Sequence, residues 1–202
     1  MTCVLFSRPE SDVTLSYLYY VSKELVNLSE SLGYKTINKE KHEANLNNIK
    51  KIIEKLKPNL IMFNGHGSSE IICGHKDEVI ISLKNVELLK NTITYSFSCS
   101  SSLVLGEKAI ERGAICFIGY DFDFVLGKNP DSEASPRRDK ISKLFLEPSN
   151  ILFSNLLQGS TAENAVKKAK NKMKENIWYL ETTDDFPEAP DYAPFLFSNY
   201  LS

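Results

Sequence analysis

The sequence has 202 residues, of which 42% are hydrophobic and 25% charged, and its formal net charge is −2. This length and balance predict one moderately large globular domain with a sizeable core, spanning residues 1–202. The small net charge gives no electrostatic case for binding nucleic acid, and no apolar run reaches the ~18 residues of a membrane span.

The cysteines and the N-terminus predict a cytoplasmic location. The first residues, "MTCVLFSRPESD", show no basic segment followed by a long apolar one, so we expect no signal peptide. The four cysteines have no spacing typical of a disulfide scaffold; they are Cys3, Cys73, Cys99 and Cys116. We therefore expect reduced thiols in a reducing compartment.

Strands and helices alternate along the first part of the chain. The predicted elements are strand 3–6, a helix capped by Ser11 or Asp12 and ended by Gly33, strand 34–38, helix 43–56 and strand 59–64.

The alternation continues after a predicted hairpin around residues 74–77. The later predicted elements are strand 92–98, helix 101–112 ended by Gly113, strand 114–119, a polar loop reaching residue 140, helices 141–158 and 161–176, and a Pro-punctuated tail. Apolar strands that alternate with helices predict an α/β fold, with a mostly parallel sheet covered by helices on both faces in a three-layer αβα sandwich.

Two reactive side chains follow predicted strands at their carboxyl ends, where ligands gather in open α/β sheets. His66 follows strand 59–64 and lies between Gly65 and Gly67. Cys99 follows strand 92–98 and precedes a helix, whose N-terminus favours a thiolate. A thiolate and an imidazole at adjacent strand ends are the groups needed for acyl transfer.

Each residue also has a simpler interpretation. Cys99 alone would be a small buried hydrophobic residue, and His66 alone would be a structural or surface residue. Their joint placement favours function. A metal site built from His66, Cys73, His75 and Cys99 is a third hypothesis, but Cys73-Gly74-His75 is a poor spacing for zinc. We expect no metal and no cofactor.

The order of the two residues excludes one class of enzyme. Glutamine amidotransferases place the cysteine before its histidine, whereas His66 precedes Cys99 and no histidine follows Cys99. The stretches "IMFNGHGSS" and "TYSFSCSSSLVLGEKAIERGAICFIGY" resemble the clan CD cysteine peptidases, the caspase-like group, and their pattern is most similar to CHAT and gingipain-type domains. "LLQGSTAENAVKKAK" resembles a late helix of these domains and "YAPFLFSN" their terminal strand, so the resemblance spans residues 57–202.

The resemblance implies a caspase-like fold and a role for each matching residue. Cys99 would be the nucleophile and His66 the general acid and base, while the amides of Gly67 and Cys99 would form the oxyanion hole. Asn64 would bind or polarise the substrate, or would only end a strand.

Substrate preference is less well indicated. Phe97 would line the specificity pocket, or would pack in the core. An acid at that position accompanies basic substrates in some relatives, so Phe97 departs from that pattern. A basic preference would then require another acid, such as Asp121 or Asp123.

The leading hypothesis is an intracellular cysteine endopeptidase that acts on proteins or peptides, with a regulatory partner or ligand as part of that hypothesis. The alternative is a non-catalytic caspase-like interaction module. Arg137 and Arg138, in the 127–140 loop, are interpreted as a processing site, a partner contact or plain surface.

Overall fold

Backbone contacts in the computed structural model divide the chain into two units, Met1–Asp123 and Phe124–Ser202. The structure describes residues 2–133 and 135–202. No helix in that part of the chain has the length and apolar character needed to cross a membrane. The single domain expected over residues 1–202 stays a prediction.

The first unit is built on a parallel sheet. In the described chain its strands are β1 (Cys3–Arg8), β2 (Lys35–Glu40), β3 (Leu60–Asn64), β6 (Ile93–Phe97) and β7 (Cys116–Ile118), in the order β2-β1-β3-β6-β7. Every neighbouring pair in this sheet is parallel. A separate antiparallel hairpin joins β4 (Ile71–Cys73) to β5 (Val79–Ser82), as the sequence predicts.

Helices cover both faces of this sheet. The helices of the first unit are α1 (Val13–Val21), α2 (Lys23–Ser31), α3 (Leu46–Leu56) and α4 (Glu107–Glu111), the last continuing a π-helical turn at Ser102–Gly106. One face of the sheet packs with α3, α4 and the hairpin, in a core that includes Leu5 and Phe63. Because side chains alternate along a strand, Arg8 and Asn64 lie on the opposite face, where they contact α1. The predicted three-layer α/β fold is confirmed.

The first predicted helix is divided in two, which corrects the expectation of one helix ending at Gly33. The break falls at Ser22, whose hydroxyl donates a hydrogen bond to the carbonyl of Leu18 at 2.7 Å. A serine that bonds back to the preceding turn in this way commonly bends a helix. The predicted end is confirmed, since Gly33 has a φ of +77°.

The second unit consists of helices and a long loop. Its helices are α5 (Lys140–Leu157), α6 (Ala162–Thr182) and α7 (Ala189–Leu201), and α6 packs against both of the others. The loop contains short 3₁₀ turns at Pro130–Ser132 and Pro136–Arg138, and position 134 of the predicted loop lies outside the described residues.

The expectation that "YAPFLFSN" forms a terminal strand is wrong, because this segment lies in α7. The buried residues of α7 recur at helical spacing; they are Ala189, Ala193, Leu196 and Asn199. Proline in the first turn supplies a φ suited to starting a helix. The side chain of Asn199 also pairs with both the N–H and the C=O of Val125, at 2.9 and 2.7 Å.

Candidate active site

The register of the sheet places His66 and Cys99 at matching positions. Asn64 at the end of β3 pairs with Phe97 at the end of β6, and these strands are parallel neighbours. His66 and Cys99 each lie two residues beyond that pair. The segments that carry His66 and Cys99 therefore leave the same edge of the sheet side by side. The sequence predicts this placement at adjacent carboxyl strand ends.

Close packing explains the glycines on both sides of His66. A Cβ at Gly65 would lie 2.0 Å from the carbonyl oxygen of Cys73, so no other residue fits there without a shift of the backbone. A Cβ at Gly67 would lie 2.8 Å from Cβ of Ser98 and 3.4 Å from the carbonyl oxygen of Cys99. The segment that carries His66 thus packs directly on the segment that carries Cys99.

The β4–β5 hairpin holds the backbone of the histidine loop, which is the segment 65–70 between β3 and β4. The amide of Cys73 donates to the carbonyl of His66 at 2.9 Å, and the amide of Ser68 donates to the carbonyl of Ile71 at 3.1 Å. These two bonds flank an antiparallel bridge between Gly67 and Ile72. Because Gly67 itself takes part in neither bond, its amide hydrogen is not consumed by the hairpin.

The ring of His66 is held by a carboxylate from another part of the chain. Nε2 of His66 lies 2.9 Å from Oδ2 of Asp12, with about two-fifths of each side chain exposed (42% and 41%). An ionised carboxylate only accepts hydrogen bonds, so the shared hydrogen lies on Nε2. This leaves Nδ1 of His66 as the nitrogen that can exchange a proton with a substrate.

The sequence predicts Asp12 only as a helix cap, whereas in the structure its carboxylate has two contacts. Its Oδ1 accepts a hydrogen bond from the amide of Leu15 at 2.9 Å, which confirms the cap of α1. β1 lies beside β3 in the sheet, so the loop after β1 meets the loop after β3. That strand order is not visible in the sequence, which is why the pairing with His66 was missed.

A tight turn follows Cys99. Ser100 has a φ of +53°, a left-handed conformation that is rare for a residue with a side chain and common at functional sites. Below this turn, the buried hydroxyl of Ser101 shares its one hydrogen between Oγ of Ser96 at 3.0 Å and the carbonyl oxygen of Ser98 at 3.2 Å. These contacts fix the backbone on both sides of Cys99. Cys99 itself is half-buried.

The segment after β7 lines the same turn. The amides of Ser100 and Ser102 donate to the carbonyls of Phe122 and Tyr120, at 3.1 and 3.2 Å. One amide in the turn and one at the start of the helix that follows it are therefore already bonded, which reduces the N-terminal effect on the thiol that the sequence suggests.

Carboxylates from this segment also reach the turn. The hydroxyl of Ser100 donates to Oδ1 of Asp123 at 2.8 Å, and that of Ser102 donates to Oδ1 of Asp121. Asp121 and Asp123 are both exposed. Negative charge therefore lies beside the residues that directly follow Cys99.

Asn64 and Phe97 are buried at the edge of the sheet. Asn64 is fully buried, and its Nδ2 donates to the carbonyl of Leu18 at 3.2 Å and to Oγ of Ser22 at 2.9 Å. Phe97 is 2% exposed and stacks between the rings of Tyr95 and Tyr120. The contacts support the packing interpretation of Phe97, and Asn64 is the last residue of β3. The roles of both residues toward a substrate stay predictions.

The other cysteines lie in strands. Burial raises the pKa of the thiols of Cys3, Cys73 and Cys116, with the positive charge of Lys35 opposing the shift at Cys3 and the negative charge of Asp77 adding to it at Cys73. Among the described residues, no group of three His, Cys, Asp or Glu side chains is arranged to hold a metal ion.

Comparison with known proteins identifies the fold and no particular family. No model of a protein family matches the sequence, and no curated protein matches it at a significant level. Solved structures do match. One is the crystal structure of gingipain R, described as an Arg-specific cysteine proteinase, with a TM-score of 0.59 and 13% identity over 86% of this chain and 42% of that chain.

A second similar structure is the complex of the pro- and mature domains of the same proteinase from Porphyromonas gingivalis. Its TM-score is 0.56, with 13% identity over 96% of this chain and 45% of that chain. The fold is caspase-like. The chain spans less than half of the length of these solved chains.

Proposed function

We propose that the chain is a cysteine endopeptidase in which Cys99 is the nucleophile and His66 the general acid and base. The observation that carries this proposal is the shared position of the two residues, each two residues beyond the paired ends of adjacent parallel strands. The caspase-like fold supports it. The cytoplasmic location and the regulatory partner stay predictions.

The proposed reaction begins when the Cys99 thiol gives its proton to Nδ1 of His66 and the resulting thiolate attacks the scissile carbonyl carbon. As the C–S bond forms, the carbonyl π electrons move to oxygen, and the amides of Gly67 and Cys99 donate to the resulting oxyanion. Nδ1 of His66 then donates its proton to the leaving nitrogen as the C–N bond breaks. Water attacks the thioester and gives a proton to Nδ1, and the C–S bond breaks to restore the thiolate.

Asp12 has a positioning role in this scheme. Its hydrogen bond with Nε2 keeps Nδ1 available for proton transfer and stabilises the protonated ring that forms each time Nδ1 accepts a proton. The exposure of both side chains lets solvent screen this pair, so its contribution is smaller than that of a buried pair.

The substrate preference proposed is for a basic side chain beside the cleaved bond. The supporting observation is the pair of exposed carboxylates of Asp121 and Asp123, which bond to the hydroxyls of Ser102 and Ser100. The arginine specificity stated for gingipain R is consistent with this preference.

Labelling with a peptidyl acyloxymethyl ketone tests the proposed function. The probe should form a covalent bond with Cys99, and Cys99→Ala should remove the labelling while Cys116→Ala retains it. His66→Ala should lower turnover by roughly a thousandfold. A folded protein that neither reacts with the probe nor cleaves any member of a peptide library would instead be a non-catalytic interaction module.

A further inference from the structure

A buried polar cluster lies on the α1 face of the sheet, next to the histidine loop. Its members are Arg8 at the end of β1, Ser22 between α1 and α2, and Asn64 at the end of β3, each no more than 1% exposed. None of the three takes part in the reaction proposed above. A buried cation and a buried amide are expensive to place in a core unless their hydrogen bonds are satisfied.

Ser22 is the centre of this cluster. Its Oγ accepts hydrogen bonds from Nε of Arg8 at 2.8 Å and from Nδ2 of Asn64 at 2.9 Å, and it donates to the carbonyl of Leu18 at 2.7 Å. A hydroxyl has one donor and two acceptor positions, so all of its bonding capacity is used.

Arg8 fixes the same end of α1 through further contacts. Its Nη2 donates to the carbonyl of Tyr19, and its guanidinium carbon lies 4.6 Å from the centroid of the Tyr19 ring. Nη1 donates to Oε2 of Glu40 and to Oδ1 of Asn38, both at 3.3 Å, which ties the contact to β2. Burial lowers the pKa of Arg8 and the charge of Glu40 opposes that shift.

Asn64 contributes only its amide hydrogens. They bond to the Leu18 carbonyl and to Ser22, whereas Oδ1 has no hydrogen-bond partner in the described part of the chain. A leucine of similar volume would avoid an unsatisfied buried oxygen. Packing alone therefore does not explain an asparagine at this position, two residues before His66.

α1 connects this cluster to the candidate active site. The cluster bonds to the C-terminal end of the helix at Leu18, Tyr19 and Ser22, and Asp12 at its N-terminal end bonds to His66. The nine residues between Asp12 and Ser22 form a rigid helix of about 13 Å. Fixing the far end of α1 against β1 and β3 therefore fixes the place where the Asp12 carboxylate meets the imidazole.

We propose that Arg8, Ser22 and Asn64 form a positioning network that sets the Asp12–His66 pair through α1. The proposal rests on the proposed peptidase function of that pair, and it gives Asn64 a positioning role in place of contact with substrate.

A double-mutant cycle tests this network in the full chain. Ser22→Ala and Asn64→Leu should each lower kcat by roughly tenfold and leave KM within about twofold, since a displaced base loses rate more than binding. In an Asp12→Asn background the same changes should cost less than about twofold, because the carboxylate that they position is already absent. Equal losses in both backgrounds would overturn the proposal.

Two controls separate positioning from general destabilisation. Ser29→Ala removes another fully buried serine hydroxyl, one that lies 2.7 Å from Oγ1 of Thr36, and should leave kcat unchanged. Ser22→Thr retains a hydroxyl and should recover most of the activity lost in Ser22→Ala. Failure of rescue in a folded Ser22→Thr protein, or an equal loss in Ser29→Ala, would contradict the network.

A spectroscopic measurement keeps the test independent of catalysis. The ¹⁵N shifts of His66 should show a single Nε2–H tautomer in the unmodified protein and a mixture of tautomers in Ser22→Ala or Asn64→Leu. If no peptide is cleaved, the proposed function fails, and these spectra alone decide on the network. If either Ser22→Ala or Asn64→Leu does not fold, the His66 spectrum of the other variant is measured. An unchanged tautomer in that variant would refute the inference.

Discussion

One carboxylate, that of Asp12, both caps α1 and contacts His66. Oδ2 of Asp12 lies 2.9 Å from Nε2 of His66, while Oδ1 accepts the amide hydrogen of Leu15 at 2.9 Å. The orientation of the imidazole is therefore coupled to the start of a helix that packs on β1 and β3. Substitutions at Asp12 can separate the two contacts.

Asp12→Asn should lower kcat by about tenfold to a hundredfold and leave stability within about 0.5 kcal/mol. Asparagine is as good a helix cap as aspartate, but it cannot stabilise the protonated ring of His66. Asp12→Ala should show the same loss of kcat and also lose about 1 kcal/mol of stability, because the cap is absent. Steady-state kinetics and urea unfolding measure the two effects. Full turnover in Asp12→Asn would exclude a role for the pair in catalysis.

Alanine at either glycine beside His66 should destabilise the protein, with the larger effect at Gly65. A Cβ there would lie 2.0 Å from the Cys73 carbonyl oxygen, a backbone atom, whereas the shortest contact at Gly67 is 2.8 Å. We expect losses of about 3 kcal/mol or more at Gly65 and about 1–3 kcal/mol at Gly67. Unfolding in urea measures both.

Kinetics of Gly67→Ala then test the oxyanion hole separately. A Cβ at Gly67 would also lie 2.9 Å from the carbonyl of Ile71, so accommodating it would move the amide that faces the oxyanion. The folded fraction of this variant should have a kcat lowered by roughly tenfold or more. A stable Gly67→Ala protein with unchanged kinetics would remove the amide of Gly67 from the mechanism.

The sequence predicts most of the architecture because burial pattern and strand composition are local. Apolar runs such as Leu60–Asn64 are readable as buried strands, and the glycines after them mark the strand ends. The sequence predicts His66 and Cys99 as candidates because carboxyl strand ends can be located without knowing the sheet order.

The features that were missed depend on contacts between distant segments. Asp12 and His66 are 54 residues apart, and only the order of β1 and β3 brings them together. The first helix is divided at Ser22, whose hydroxyl donates a hydrogen bond to the carbonyl of Leu18 and accepts one from Nε of Arg8. The error in the last element has a different cause, since Phe195 and Phe197 make "YAPFLFSN" look like a strand although both lie half-exposed on α7.

Alkylation should distinguish Cys99 from the other cysteines. Burial raises the pKa of the thiols of Cys3, Cys73 and Cys116, so their thiolate fraction near pH 7.5 is small, and the thiolate is the form that reacts. Iodoacetamide should therefore modify Cys99 at least about tenfold faster than the other three. Peptide mass spectrometry over a time course measures each rate. Modification of Cys116 as fast as Cys99 would contradict the assignment of Cys99 as the nucleophile. As a control, all four cysteines should be alkylated at equal rates in urea, which would show that folding causes the difference in rate.

Removing the carboxylates beside Cys99 should weaken a preference for basic substrates. Asp121 and Asp123 place two exposed negative charges next to Ser102 and Ser100, where a cationic side chain bound near the thiol would be attracted. Combining Asp121→Asn with Asp123→Asn should lower kcat/KM for an arginine peptide by roughly tenfold and leave a leucine peptide within about twofold. Because exposed charges are screened by ions, raising the salt concentration should reduce this difference in the unmodified enzyme.

The control for this prediction is Glu54→Gln on α3, which removes a single exposed charge and should change kcat/KM for neither peptide. Equal losses for the arginine and leucine peptides would show that these two residues support the turn and do not select the substrate.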